Sequence, residues 1–181
     1  MCVVSQADPF VINDDLPGVI YNKYPVGATP RPYTIDPAKK TLDLIVTGQS
    51  LYCNTSGGPS SGPYLPTNAS VIDNFNIYDG ALWNIVGPLC GVTAGSTNGT
   101  GNVCVKIADL MISNAKFDRV ILAPIAFGGT FIADWSTGFL SQRFAVMMRR
   151  LASRGLTPST PHTQWINYFG QGPSDGYYGT T

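Results

Sequence analysis

Three short stretches carry side chains that could act together. Ser50 follows Gly48 and Gln49 at the end of the apolar run T-L-D-L-I-V-T-G-Q-S-L, Thr41 to Leu51. Gly128 and Gly129 follow a second run, D-R-V-I-L-A-P-I-A from Asp118 to Ala126, and Gln171 follows a third, T-Q-W-I-N-Y-F from Thr163 to Phe169. A hydroxyl, two residues without a Cβ and a carboxamide are the parts acyl transfer requires. The hydroxyl attacks, while its own backbone N–H, a glycine N–H and the carboxamide N–H hold the oxygen that turns negative in the tetrahedral intermediate. A lone G-x-S is common in turns, so the weight falls on the trio. The G-x-S-x-G elbow of another hydrolase class is absent, because Tyr52 stands at its last glycine. A dinucleotide loop at Gly170 to Gly176 would need a helix straight after it, which Pro173 and the Tyr177-Tyr178 pair oppose.

The elements that must position these residues can be read from periodicity. Leu42, Leu44, Ile45 and Val46 read as a strand buried on both faces of a parallel sheet, with Gly48 turning the chain so that Ser50 sits at the carboxyl end. Val71 to Tyr78 reads as a second strand closed by Asp79-Gly80. Asn102 reads as the N-cap of a helix whose Val103, Ile107, Leu110 and Met111 pack on the sheet. Asp118 to Ala126 is a strand in which Pro124, unable to donate to the ladder, marks either a bulge or an end to regular pairing. Leu140, Phe144, Met147 and Leu151 mark an amphipathic helix, with Arg149, Arg150 and Arg154 as a solvated face at its negative pole and Gly155 as its stop. Thr163 to Phe169 is the last strand. Alternating strands and helices predict a parallel sheet with helices on both faces, and three strand ends meeting on one edge.

The remaining chain frames this unit. Residues 1 to 40, with Pro9, Pro17, Pro25, Pro30, Pro32 and Pro37, read as an extended arm or linker, and residues 41 to 181 as one domain. Tyr52 to Asn68, dense in Ser, Gly and Pro, is a loop on the Ser50 edge that either walls a cleft or is a surface insertion. Eleven basic and eleven acidic residues leave no net charge, which argues against a nucleic-acid partner. Charged residues are 12% of the chain, so neutral polar groups must cover the surface, a composition that leans towards a sugar-handling or extracytoplasmic protein. No apolar run approaches membrane-spanning length, and Met1 to Asp15 lacks the pattern of a signal peptide, so either export by that route is not used or a leader has been removed. Cys2, Cys53, Cys90 and Cys104 show no C-x-x-C spacing, and with one histidine no zinc cluster is expected. Cys90 and Cys104 flank a glycine-rich loop and are either a disulfide or two buried thiols. Asn54, Asn68 and Asn98 open N-x-S/T sequons.

Taken in order, G-Q-S at Gly48 to Ser50, A-F-G-G-T-F-I-A-D-W at Ala126 to Trp135 and G-Q-G-P-S-D at Gly170 to Asp175 resemble the G-Q-S-N, G-G-T-x-I-x-x-W and Q-G-E-S-D patterns of the SGNH (GDSL-like) hydrolases, in their sialate O-acetylesterase and carbohydrate esterase 6 branch. The resemblance spans Leu42 to Asp175. It implies a three-layer α/β/α sandwich with a flavodoxin-like parallel sheet, lacking its C-terminal unit. It implies Ser50 as the nucleophile and Ser50, Gly128, Gly129 and Gln171 as the oxyanion hole. Gln49, Thr130, Trp135 and Asp175 become candidate substrate contacts, with Trp135, Tyr177 and Tyr178 able either to stack on a sugar or to pack structurally. The implied substrate is an acylated carbohydrate, and no metal or organic cofactor is implied.

Three positions depart from the pattern. Leu51 stands in place of the family's Asn and Pro173 in place of its Glu, and the D-x-x-H motif that supplies the general base is missing. The single histidine, His162, precedes the last strand, which at about 3.3 Å per residue puts it on the order of 20 Å from Gln171. It reads as a surface loop residue. The missing Asp and His are therefore expected from a further C-terminal segment or a second chain. The rival expectation is a non-catalytic domain of the same fold that binds glycans or serves architecture.

Overall fold

The computed structural model describes residues 20–21, 23, 25–48, 64–94, 102–138, 140–158 and 163–170. Its centre is strand β3, Thr41–Gly48, in which every residue is buried. With β1 at Ile20–Tyr21, β2 at Pro30–Arg31, β4 at Ile72–Phe75, β5 at Leu82–Asn84, β6 at Thr93–Ala94, β7 at Arg119–Pro124 and β8 at Thr163–Gly170, the main sheet has the order β2-β5-β4-β7-β3-β8. β4, β7, β3 and β8 run parallel, whereas β5 and β2 are antiparallel to their neighbours. The fold is thus mixed α/β with a mostly parallel six-stranded sheet, and β1 and β6 form a separate antiparallel pair.

Alternation along β3 divides the core. Leu42, Leu44 and Val46 join Val120 and Leu122 of β7 under helix α1, Val103–Ser113, through its Cys104, Val105 and Ala108. Ile45 points the other way and packs with Ile121, Ala123 and the Val146, Met147 and Leu151 side of helix α3, Ser141–Ser153. A short helix α2, Ile132–Ser136, lies between β7 and α3 in sequence. Full burial of an aliphatic side chain stabilises by about 1.5–3 kcal/mol, so a strand buried on both faces is the natural anchor of the sheet. Among the described residues no helix is long and apolar enough to cross a membrane.

Several details correct the sequence reading. Asn102 does cap α1, accepting from Cys104 N at 2.9 Å, but the helix is rotated from the expected stripe. Val103 and Leu110 are exposed, Ile107 and Met111 half-buried, and the small residues Cys104 and Ala108 face the sheet. Small side chains let the helix axis approach the sheet closely, and a stripe chosen by size alone missed them. Arg150 is buried rather than on a solvated face, while Arg149 and Arg154 are exposed as expected. Gly155, at φ 78°, ends the helix.

The second strand is cut short at Phe75 because the Asn76 side chain accepts from Tyr78 N at 3.1 Å, an Asx turn that sends the chain back as β5. Within the N-terminal arm, Pro30–Arg31 pairs with β5 at the sheet edge. Pro124 is the last residue of β7; the pairing with β4 stops at Leu122, whereas bonding to β3 continues past it through Ile125 N and Phe127 N. Cys90 and Cys104 are free and buried, which settles the disulfide alternative in favour of thiols.

Candidate active site

The strand order places β3 between β7 and β8, the two strands that follow it after helices on opposite faces. β7, β3 and β8 run parallel side by side, so their carboxyl ends lie together on one edge of the sheet. Open α/β sheets bind their ligands outside the carboxyl ends of their strands. Gly48 ends β3 there.

All three stretches singled out by their chemistry run into this point. Gly48 is in register with Gly170, the last residue of β8. A Cβ built on Gly48 would fall 2.1 Å from the Gly170 carbonyl oxygen, and Gly48 has φ 129°, so no other residue fits. On the other side the chain leaving β7 stays bonded to β3: Ile125 N donates to Val46 O and Phe127 N to Gly48 O, both at 2.8 Å. Gly128 is the next residue. Thus the backbones immediately preceding positions 49, 128 and 171 are fastened to one another. Gln49, Ser50, Gln171 and Asp175 lie outside the described residues, as do His162, Tyr177 and Tyr178.

The Gly128-Gly129 turn is built for close approach. Gly129 has φ 73°, is exposed, and a Cβ there would meet nothing within 4 Å. Thr130 is buried, and its hydroxyl donates to Phe127 O at 2.9 Å, closing the turn from behind. The Trp135 Nε1–H donates to that same hydroxyl at 3.2 Å, and the Trp135 ring meets Phe169 of β8 edge-on, centroids 6.2 Å apart. Phe131 N donates to Asp134 Oδ2 at 2.8 Å while Asp134 N donates to Phe131 O at 3.1 Å, which fixes the start of α2. Thr130 thus supports the turn rather than offering its hydroxyl to solvent. Trp135 is half-buried, with its indole N–H engaged and its ring against β8.

Sequence reasoning passed over two features of this region. Thr47 donates to Asn167 Oδ1 at 2.9 Å, tying β3 to β8 one residue before the glycine pair. Arg143 of α3 is wholly buried under the β7 exit. A buried arginine in the first turn of a helix has no distinct sequence signature, and only the polar break it makes in the apolar stripe could have flagged it. A separate cavity of about 280 Å³, lined by Arg31, Thr34, Asp73, Asp118 and Arg119 among others, lies at the amino-terminal edge of the sheet. There Arg119 grips Asp73 at 2.6 Å, and Arg31 stands 3.6 Å from it. That is the edge opposite the three motifs. Among the described residues no cluster of His, Cys, Asp or Glu could hold a metal ion.

No family model matches the sequence, and no curated protein matches it. A crystal structure of an Arabidopsis thaliana protein, AT4G34215, is similar with a TM-score of 0.53 at 21% identity, over 76% of this chain and 59% of that one. At that identity the likeness concerns fold alone. This chain spans less than two thirds of the length of that protein.

Proposed function

We propose that the chain is a serine ester hydrolase of the SGNH type, in the sialate O-acetylesterase-like branch, removing acetyl or similar acyl groups from carbohydrates. The finer architecture proposed with it is the three-layer, flavodoxin-like sandwich. The single observation that carries the reading is the fastening of three strand exits at one edge of the sheet, Gly48 to Gly170 on one side and Gly48 to Phe127 on the other.

In this reading the Ser50 hydroxyl adds to the ester carbonyl carbon and its proton passes to a histidine base, giving a tetrahedral intermediate. The backbone N–H of Ser50, an N–H of Gly128 or Gly129, and the Gln171 carboxamide hold the oxyanion. Collapse expels the sugar hydroxyl, which takes the proton, and water then releases the acid from the acyl-serine. The base is supplied by an Asp and His from a C-terminal segment or second chain. Leu51 and Pro173 alter the surroundings of Ser50 and Gln171 relative to the family pattern.

Pro173, and the absence of a D-x-x-H motif from these residues, favour one second reading, a glycan-binding domain without catalysis. Turnover of p-nitrophenyl acetate and of an acetylated sugar decides between them, measured on this chain and on the longest product of its reading frame. Activity that disappears in Ser50→Ala supports the hydrolase. No Ser50-dependent turnover in either form, with binding of unmodified glycan, supports the second reading.

A further inference from the structure

We infer that Arg143 is a positioning residue for the Gly128-Gly129 turn, holding the β7 exit so that the glycine amides face the reacting carbonyl; this rests on the hydrolase reading above. Arg143 has no solvent exposure, and its fork spans three segments of chain. Nε donates to Ile125 O at 3.2 Å, Nη1 to the Tyr78 hydroxyl at 3.0 Å, and Nη2 to Gly91 O. The guanidinium also lies over the rings of Tyr78 and Phe127, at 5.7 and 5.8 Å. Ile125 and Phe127 are the two residues that donate to the last carbonyls of β3. Gly91 itself abuts β7, since a Cβ there would fall 2.3 Å from Pro124 O.

The chain of contact is short. Arg143 grips Ile125 O and stacks on Phe127; Phe127 accepts the Thr130 hydroxyl and is followed directly by Gly128. Among the described residues the β4–β7 pairing stops at Leu122, so after Pro124 the strand has no further ladder partner on its β4 side. Residues 125 to 127 are then held from β3 on one side and from Arg143 on the other. A planar fork is suited to this because its donors are fixed relative to one another, whereas a lysine offers a single movable ammonium. A donor displaced by about 1 Å can lose on the order of 10²-fold in rate, so a support this close to an oxyanion donor acts on the chemical step.

The test compares wild type, Arg143→Lys, Arg143→Met and Phe127→Leu, each as the longest product of the reading frame and beside Ser50→Ala, with p-nitrophenyl acetate. Active sites are counted by titration with a p-nitrophenyl phosphonate, which forms a stable adduct on a reactive serine. The expected result is kcat per titrated site about 10- to 100-fold lower in Arg143→Met, with KM within about threefold of wild type and Arg143→Lys in between. Phe127→Leu, which keeps the buried charge, should fall in the same direction by less. Wild-type kcat per site in Arg143→Met and Arg143→Lys overturns the inference while leaving the hydrolase reading intact, as does a loss confined to the number of titratable sites. If wild type itself has no Ser50-dependent turnover, the hydrolase reading fails and takes this inference with it.

Discussion

Gly48 and Gly170 meet where β3 and β8 end, and the carbonyl oxygen of Gly170 occupies the space a side chain on Gly48 would need. The contact is with backbone, which cannot swing aside. Gly48→Ala must therefore splay the two strands or shift the turn that leads to Ser50. The φ of 129° adds strain of about 1–3 kcal/mol for any residue with a Cβ. Urea unfolding should show Gly48→Ala at least about 2 kcal/mol less stable than wild type. Gly129→Ala is the control, because the space there is open and only its φ of 73° opposes the substitution, at about 1–2 kcal/mol. Equal stability of Gly48→Ala and wild type would mean that the strand ends do not close as described.

What was legible in the sequence followed the strength of local signals. β3, β7 and β8 were readable because β-branched and aliphatic runs stop at glycine or proline, and their ends define the candidate site. Asn102 was readable because a cap needs only its own side chain and the amide two residues on. The rotation of α1 was not, since Cys104 and Ala108 face the sheet through smallness rather than hydrophobicity. The β4–β5 hairpin was hidden in an apolar stretch that Asn76 interrupts with one side-chain bond. Arg143 and Arg150 carry the same letter as the exposed Arg149, and burial depends on tertiary neighbours that no local pattern encodes.

Burial pushes the thiols of Cys90 and Cys104 up to about 12, so neither is a thiolate at neutral pH. In a Cys2→Ser, Cys53→Ser background, Ellman's reagent should label almost nothing in native buffer and two thiols per chain in denaturant. Two thiols reacting within seconds in native buffer would contradict the packing around α1. No label in denaturant without reductant would instead mean a disulfide.

Thr130 binds both ends of the glycine turn to α2, and its replacement separates structure from chemistry. Thr130→Val keeps the shape but leaves Phe127 O and the Trp135 N–H without this partner, at a cost of about 1–3 kcal/mol. Thr130→Ser keeps the hydroxyl and should recover most of that stability. Under the hydrolase reading kcat should follow the same order, wild type, then Ser, then Val. A valine variant as stable and as active as wild type would show that the turn holds without the hydroxyl.

Two buried aspartates should shape stability against pH in opposite senses. Asp43 lies within β3; burial pushes its carboxyl up to about 7, against the opposing effects of the Trp165 N–H, at 2.8 Å, and the charge of Arg119. Among the described residues its Oδ1 has no hydrogen-bond partner. At Asp109 burial also pushes upward, but hydrogen bonds from the Tyr64 hydroxyl, Asn68 and the Thr67 amide outweigh it and bring the carboxyl to about 2. An unfolded aspartate titrates near about 4, so between there and 7 the folded chain keeps a proton on Asp43 that the unfolded chain has lost. Stability must then fall as pH rises through that window, with a slope of up to about 1.4 kcal/mol per pH unit. Below about 4 the unfolded chain takes up a proton that folded Asp109 resists, so its contribution, fully present above that pH, is lost as pH falls towards 2. Asp43→Asn should flatten the difference from pH 4 to 7 and be the more stable protein at pH 8. Asp109→Asn should be the less stable at neutral pH and flatten the acid limb. Urea midpoints taken at each pH unit from 3 to 8 test both, and wild type and Asp43→Asn running parallel throughout would show that Asp43 takes up its proton in the folded chain just as it does in the unfolded one.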